Sequence, residues 1–350
     1  MMNDPVVIVG AARTPMGAFQ GDFSSKSANE LGAVAIAAAV ERSGIDPTLV
    51  EHVYFGNCLM AGQGQAPARQ AAIKAGLPLS AGAVTLSKMC GSAMQTAIFA
   101  HDTLLAGSAE VIVAGGMESM TNAPYLIPKA RGGYRIGHAM MFDHMMLDGL
   151  EDAYSRDEKT GGGRSMGTFA EECAAKYAFT REAQDAFALR SHQRAAAAID
   201  GGRFAEETNA VGEFRVDEGP SRDTSLEALA KLKPAFHAKG SVTAGNSSQM
   251  SDGAAAAVVM SGERMRALGD GMLFDTRVLF AHLGWRPTAA ERFASDLFDA
   301  DAISFTALRE FTAAAREVPF PLLLGGQALV SGVLWTMVEA AWAGHPEEAS

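Results

Sequence analysis

The stretch Val84-Thr85-Leu86-Ser87-Lys88-Met89-Cys90-Gly91-Ser92-Ala93-Met94-Gln95 decides how this chain is read. It opens as an apolar, β-prone run and closes on Cys90, after which Gly91 and Ser92 offer a turn and a helix start. Met94, Ala97, Ile98, Leu104 and Leu105 then recur at helical spacing, and Gly107 supplies a stop. A cysteine at such an elbow lies where unpaired backbone N–H groups and the positive end of the helix dipole point. That position favours thiolate over thiol, and the thiolate is the nucleophile. A buried structural cysteine is the other reading of the same residue.

Upstream of the elbow, Val6-Val7-Ile8-Val9 reads as a buried strand and Gly10-Ala11-Ala12-Arg13-Thr14-Pro15 as the loop leaving it. The G-x-G-x-x-G glycines of a dinucleotide-binding opening are missing there. Residues 29–43 put Leu31, Val34, Ala35 and Ala38 on one helical face and stop at Gly44. Val53-Tyr54-Phe55-Gly56 is a second strand, followed by the loop Ala61-Gly62-Gln63-Gly64-Gln65 and a short helix over 67–74 ended by Gly76. Downstream of the elbow, Glu110-Val111-Ile112-Val113-Ala114 is a fourth strand running into Gly115-Gly116-Met117-Glu118-Ser119. Strands and helices in this alternation predict a mainly parallel sheet with helices on both faces. Sites in such folds gather at the carboxyl ends of the strands, which is where Cys90 falls.

The bulk properties bound the function. A chain of 350 residues with 48% hydrophobic and 20% charged content has ample material for a core. A net charge of −11 argues against nucleic acid as a partner. Three cysteines, Cys58, Cys90 and Cys173, make no disulfide framework and suggest a reducing compartment. The opening Met1-Met2-Asn3-Asp4-Pro5 has no basic region or apolar core of a signal peptide, and no apolar run reaches the ~18–20 residues of a membrane span. The expectation is a cytoplasmic protein with no membrane partner.

Residues 120–240 change character and read as an insertion. Pro124, Pro128, Gly132, Gly133 and the patch Met140, Met141, Met145 and Met146 form an irregular stretch, the methionines serving as adaptable core or oligomer contact. Gly161-Gly162-Gly163 has no Gly-Lys-Ser/Thr after it and reads as a hinge rather than a phosphate loop. Helices are predicted over 168–177 and 181–200. His138 and His144, six apart around Asp143, fit no common metal spacing and read as surface or interface, so no metal is expected. Sheet logic returns with Gly240-Ser241-Val242-Thr243-Ala244-Gly245-Asn246-Ser247-Ser248-Gln249, then Asp252-Gly253 and the buried strand Ala254-Ala255-Ala256-Ala257-Val258-Val259-Met260. No G-x-S-x-G nucleophile elbow is present.

These pieces, in this order, resemble the thiolases, the group that includes acetyl-CoA acetyltransferase and 3-ketoacyl-CoA thiolase. The matching segments are residues 9–15, the Cys90 elbow, Val113-Ala114-Gly115-Gly116-Met117-Glu118-Ser119-Met120, Met166-Gly167-Thr168-Phe169-Ala170-Glu171, Arg181-Glu182-Ala183-Gln184-Asp185, Leu232-Lys233-Pro234-Ala235-Phe236 and Thr243-Ala244-Gly245-Asn246-Ser247-Ser248. Together they cover roughly residues 5–268. The resemblance implies an α/β fold with a layered α-β-α-β-α architecture, two similar halves and an inserted loop domain. The expected division is 1–119 for the N-terminal half, 120–240 for the loop domain and 241–350 for the C-terminal half.

The resemblance further implies an acyl-CoA C-acyltransferase. Cys90 would take an acyl group from acyl-CoA, then pass it to acetyl-CoA by Claisen condensation, or in reverse accept it from a 3-ketoacyl-CoA split by CoA. Met166, Leu232, Phe236, Ala244, Gly245 and Ser248 are the implied CoA contacts. Ser165 stands where some members carry a histidine. No cofactor is implied beyond CoA thioesters as substrates, and a homo-oligomer, dimer or tetramer, is implied.

Past about residue 268 the resemblance lapses. The family's second half carries an Asn-Glu-Ala-Phe stretch, a Gly-His-Pro histidine that activates the nucleophile, and a Cys-x-Gly-Gly acid/base cysteine. Here Gly344-His345-Pro346 spells one tripeptide outside its usual context, which makes His345 the single candidate partner for Cys90, and the C-terminal half reads as incomplete. Lysine is absent after Lys239, and Trp285, Trp335 and Trp342 all fall in the tail. Two rivals to the enzyme reading follow: an impaired homologue that binds CoA but lacks the C-terminal acid/base groups, and a β-ketoacyl synthase-like enzyme, against which the 166–236 match speaks.

Overall fold

A computed structural model of the chain describes residues 4–157, 161–269 and 274–275. The first strand, β1 (Val6–Arg13), is followed by the short β2 (Gly17–Ala18) and helix α1 (Ala28–Ser43). Strand β3 (His52–Gly56), helix α2 (Pro67–Lys74), strand β4 (Gly82–Leu86), helix α3 (Ser92–Leu105) and strand β5 (Val111–Ser119) continue the alternation. Two small ladders come next, β6 (Tyr125–Leu126) with β7 (Phe142–Asp143) and β8 (Glu151–Arg156) with β9 (Gly163–Ser165). Helices α4 (Met166–Lys176), α5 (Arg181–Asp200) and α6 (Leu226–Ala230) precede strand β10 (Ser251–Ser261), helix α7 (Gly262–Leu268) and strand β11 (Phe274–Asp275).

The main sheet runs β11-β1-β10-β5-β3-β4, with β2 also on β10. β3 pairs in parallel with β4 and with β5, while β10 is antiparallel to both β1 and β5. The parallel expectation therefore holds for β1, β3, β4 and β5, and fails for β10, which lies between two of them pointing the other way. Residues 251–261 thus belong to the same sheet as residues 1–119, not to a separate half beginning at 241. The buried run Ala254–Met260 has apolar neighbours on both sides because it is a central strand.

Helices cover both faces. Leu31, Ala35, Ile36 and Ala39 of α1 and Ala68, Ala71 and Ala72 of α2 pack on Val7, Val53, Phe55, Val113, Met117 and Val258. Ala97, Ile98, Ala100 and Leu104 of α3 pack on Val6, Ile8, Ile112, Ala114 and Val259 on the opposite face. Fully burying each of the larger of these side chains contributes about 1.5–3 kcal/mol. α1 starts at a capping box, with the Glu30 carboxylate accepting the Ser27 N–H at 2.9 Å, and ends at Gly44 with φ 73°.

The 120–240 region is tied to the sheet through Arg13. Its guanidinium, 2% exposed, bonds Glu207 Oε1 at 2.7 Å and both oxygens of Asp217 at 2.7 and 3.0 Å, with the Phe204 ring 5.1 Å away. Burial alone would weaken its hold on the proton; Asp217 and then Glu207 more than reverse that. Next to the β8–β9 pairing, the Asp157 N–H donates to the Gly162 carbonyl at 2.9 Å and the Gly161 N–H to the Asp157 carbonyl at 2.8 Å. Among the methionines of the patch, Met145 is buried in a small cluster with Leu59 and Met120, while Met140 and Met141 are exposed.

Candidate active site

Three parallel strands deliver their carboxyl ends to one cleft. Cys58 and Leu59 follow β3, Met89 and Cys90 follow β4, and Glu118 and Met120 sit at the exit of β5; Gly149 and Leu150 close the cleft from the loop region. The cysteine elbow is a tight turn in which Met89 takes φ 50°, a left-handed conformation that a side chain adopts at a cost. The wholly buried Ser92 pins it: its hydroxyl accepts the Lys88 N–H at 2.7 Å and donates to the Met89 carbonyl. Thr96, one turn on, fastens α3 to β5 by accepting the Gly115 N–H at 3.0 Å. Gly116 completes the seating, since a side chain there would meet Ala93 of α3.

This geometry corrects the expectation that the helix start lowers the Cys90 thiol. The Gly91 and Ser92 N–H groups donate to the Lys88 and Met89 carbonyls at 3.2 and 3.0 Å, so the turn consumes them. Burial pushes the Cys90 thiol up, its own backbone N–H pulls it down, and the Glu118 charge pushes it up again; the net direction is up. Cys58 is pushed further, to about 12, by burial first and by Glu118 next. Its sulfur lies 3.9 Å from the Ser92 hydroxyl.

The residues singled out for CoA sit together on the loop region. Segment 234–235 runs antiparallel to 242–243, with the Ala235 N–H donating to the Val242 carbonyl at 2.9 Å, which sets Leu232 beside Gly245. Gly245 packs on Leu229 and Leu232, and Gly167, next to Met166, packs on the Phe236 ring; neither position has room for a β-carbon. Ser248 and Ala244 are exposed, and Leu232 and Phe236 are each 38% exposed. The polar motif residues hold this surface from beneath. The Glu171 carboxylate accepts the Ser241 and Val242 N–H groups at 2.9 and 3.0 Å. Asp185 accepts from Asn246 Nδ2 at 2.9 Å and from Arg181 Nε at 2.7 Å. Arg181 also donates to the Leu229 and Leu232 carbonyls.

One ladder connects this surface to the cleft. Leu150 lines the cleft, its neighbour Glu151 pairs with Ser165 across β8–β9, and Ser165 caps α4 directly before Met166. His345 lies outside the described residues. His144, expected at a surface or interface, is instead buried: Nδ1 bonds Asp148 at 2.7 Å and Nε2 accepts the Ala61 N–H at 3.3 Å, so both ring nitrogens are occupied. Sequence reasoning missed Glu118 and Cys58 as parts of the cleft. The signal for the first was an acidic residue inside the otherwise apolar run 111–119. Among the described residues no cluster of His, Cys, Asp and Glu is arranged to hold a metal ion, and no helix is long and apolar enough to cross a membrane.

Residues 6–263 match the family model of the thiolase N-terminal domain. The chain belongs to the thiolase family. The acetyl-CoA acetyltransferase of Pseudomonas aeruginosa is 50% identical over 273 residues, which span 75% of this chain and 68% of that relative. A probable acetyl-CoA acetyltransferase of Escherichia coli is 43% identical over 290 residues, 81% of this chain and 72% of the relative. Among solved thiolase structures, the acetyl-CoA acetyltransferase from Syntrophomonas wolfei superposes with a TM-score of 0.71 at 41% identity, over 77% of this chain and 67% of that one. The cleft and the loop surface both lie inside the segment matched to the thiolase N-terminal domain.

Proposed function

We propose that this chain is an acyl-CoA C-acyltransferase in which Cys90 accepts the acyl group. The observation that carries the reading is the cysteine elbow at the carboxyl ends of three parallel strands, with one ladder leading from its cleft to the 166–248 surface. The deprotonated Cys90 sulfur attacks the carbonyl carbon of acyl-CoA, a carbon–sulfur bond forms, and CoA leaves as its thiolate. In the second half the α-carbon of acetyl-CoA, having lost a proton, attacks the Cys90 thioester and releases the enzyme sulfur. Dividing one difficult transfer into two thioester exchanges is what a covalent nucleophile contributes. Met166, Leu232, Phe236, Ala244, Gly245 and Ser248 form the surface along which CoA would lie, with the pantetheine chain passing Ser248 and the adenine end near Leu232 and Phe236. Exposed apolar side chains suit the ring, and small residues let the thin chain approach backbone.

The test is CoA-dependent cleavage of acetoacetyl-CoA by the full chain, with detection of the acetyl-enzyme on the Cys90 peptide by mass spectrometry. Loss of both signals in Cys90→Ala supports the reading; a Cys90→Ala protein that still turns over overturns it. One observation favours the impaired alternative. The Cys90 thiol is pushed up, and the titratable groups lining its cleft among the described residues are Cys58 and Glu118. General acid–base help is worth about 10²–10⁴ in rate. Acetyl-enzyme that forms slowly, without turnover of acetoacetyl-CoA, identifies that case.

A further inference from the structure

His144 is 5% exposed and lies between two segments that each supply a wall of the Cys90 cleft. On one side Nε2 accepts the Ala61 N–H at 3.3 Å, two residues beyond the cleft-lining Leu59. On the other Nδ1 bonds Asp148 Oδ2 at 2.7 Å, directly before the cleft-lining Gly149 and Leu150. The ring is held in place from behind, where the His144 backbone donates to the Pro124 carbonyl at 3.1 Å. The two walls touch. A β-carbon at Gly149 would lie 3.1 Å from Leu59 Cδ2, and Leu150 packs on the buried cluster of Leu59, Met120 and Met145.

The donor pattern fixes where the ring carries its proton. The Ala61 N–H can end only on a bare nitrogen, so Nε2 has no proton and Nδ1–H donates to the Asp148 carboxylate. We propose that this neutral ring is a positioning residue of the acyl-transfer cleft, joining the Leu59 wall to the Gly149–Leu150 wall, and that a proton on Nε2 undoes the join. The inference rests on Cys90 being the acyl acceptor. Once Nε2 is protonated, two N–H groups face each other and the bond to Ala61 breaks. Asp148 accepts from the charged ring as well as from the neutral one, so the tie that is lost is the one to the Leu59 wall. An amide stripped of its acceptor in a buried setting is unfavourable, and the 59–61 segment moves to satisfy it. Among the described residues, the titratable groups on the segments around the ring are Asp143 and Asp148 on its own segment and Cys58 on the loop carrying Ala61. Tyr125 comes from the strand paired with β7, and Glu118 reaches the same loop by accepting the Leu59 N–H at 3.2 Å. None of these is basic, so none repels a proton arriving at the ring.

The experiment follows hydrogen exchange of the peptide carrying Ala61, in the full chain, at about pH 7.5 and about pH 5.5, either side of the ordinary imidazole value near 6.5. Each rate is divided by that of the same peptide when unstructured, which removes the intrinsic effect of pH on exchange. In the unaltered protein, protection of this peptide should fall on acidification by up to roughly tenfold. In His144→Gln the side-chain oxygen stands in for Nε2 and does not titrate, so protection should be equal at both pH values. The second reading is the rate of acetyl-enzyme formation at Cys90, taken as the ratio of His144→Gln to unaltered protein so that the thiol's own titration cancels. That ratio should rise as the pH falls; a merely structural residue leaves it constant. Protection in the unaltered protein that does not change with pH overturns the tie, and it does so even where His144→Gln fails to fold. A constant ratio overturns the positioning role. Absence of acetyl-enzyme in both proteins at both pH values defeats the reading of Cys90 instead, and hydrogen exchange, which needs no turnover, then decides the tie by itself.

Discussion

Replacing Gly116 by alanine tests whether the nucleophile's helix is seated by the sheet beneath it. A β-carbon built at Gly116 lies 2.7 Å from the Ala93 β-carbon and 3.4 Å from the Gly56 carbonyl oxygen. Carbon atoms in contact settle at about 3.5–4.0 Å, so the first turn of α3 must withdraw by roughly 1 Å. Gly116 is on a central strand and cannot yield, because β10 and β3 hold β5 from both sides. Overpacking of this kind costs about 1–3 kcal/mol, and a misplacement near 1 Å at a reacting centre costs on the order of 10² in rate. Gly116→Ala should therefore melt about 2–12 °C lower. Its acetyl-enzyme should form much more slowly than the stability loss alone explains. Both are measurable on one preparation, by calorimetry and by timed mass spectrometry with acetyl-CoA. Unchanged melting together with an unchanged acylation rate would refute the seating argument.

Three further outcomes are expected. Arg13→Ala strands the half-buried Asp217 and Glu207 carboxylates and should destabilise by up to about 3–5 kcal/mol, read from denaturant melts; Arg13→Lys, which keeps a charge but not the fork, should fall between. Glu30→Gln should lower the melting point slightly at pH 7, because the Ser27 hydroxyl and then the Ser27 N–H hold the Glu30 carboxyl below its usual range. That contribution is present above the ordinary glutamate value and is lost as the pH falls through the lowered one, so the two melting curves should converge in acid. Ser248→Trp, at an exposed position on the proposed CoA surface, should weaken CoA binding by calorimetry, and unaltered affinity would put the ligand elsewhere.

Much of the architecture was legible because its signals are local. Helices α2 and α5 begin and end where the sequence punctuates them, Pro67 at the start of one and the Thr180 hydroxyl capping the other. Strand β10 was legible as a strand but not as the central partner of β1 and β5, since a long-range pairing leaves no trace in either segment alone. The same reason hid the electrostatics of the cleft. Helix-start logic looked only along the chain from Cys90, whereas the turn amides bond the preceding carbonyls and the opposing charge comes from β5. The 166–248 residues were singled out only through family resemblance; their proximity follows from the local pairing of 234–235 with 242–243 and from the long-range contacts of Glu171 with Ser241 and of Gly167 with Phe236.

The position of β10 also sets the order in which the protein can be born. When a ribosome has released residues 1–119, it has made β1 on one side and the β5-β3-β4 group on the other, and these do not pair with each other. Both wait with an open strand edge, as do Val7 and Val113, which share a core with Val258. The joining strand arrives only with residues 251–261, on the order of ten seconds later at ordinary elongation rates. For that interval the nascent chain carries two unfinished sheet fragments and an uncovered apolar face of α1, and a chaperone that shields strand edges has a defined window in which to act.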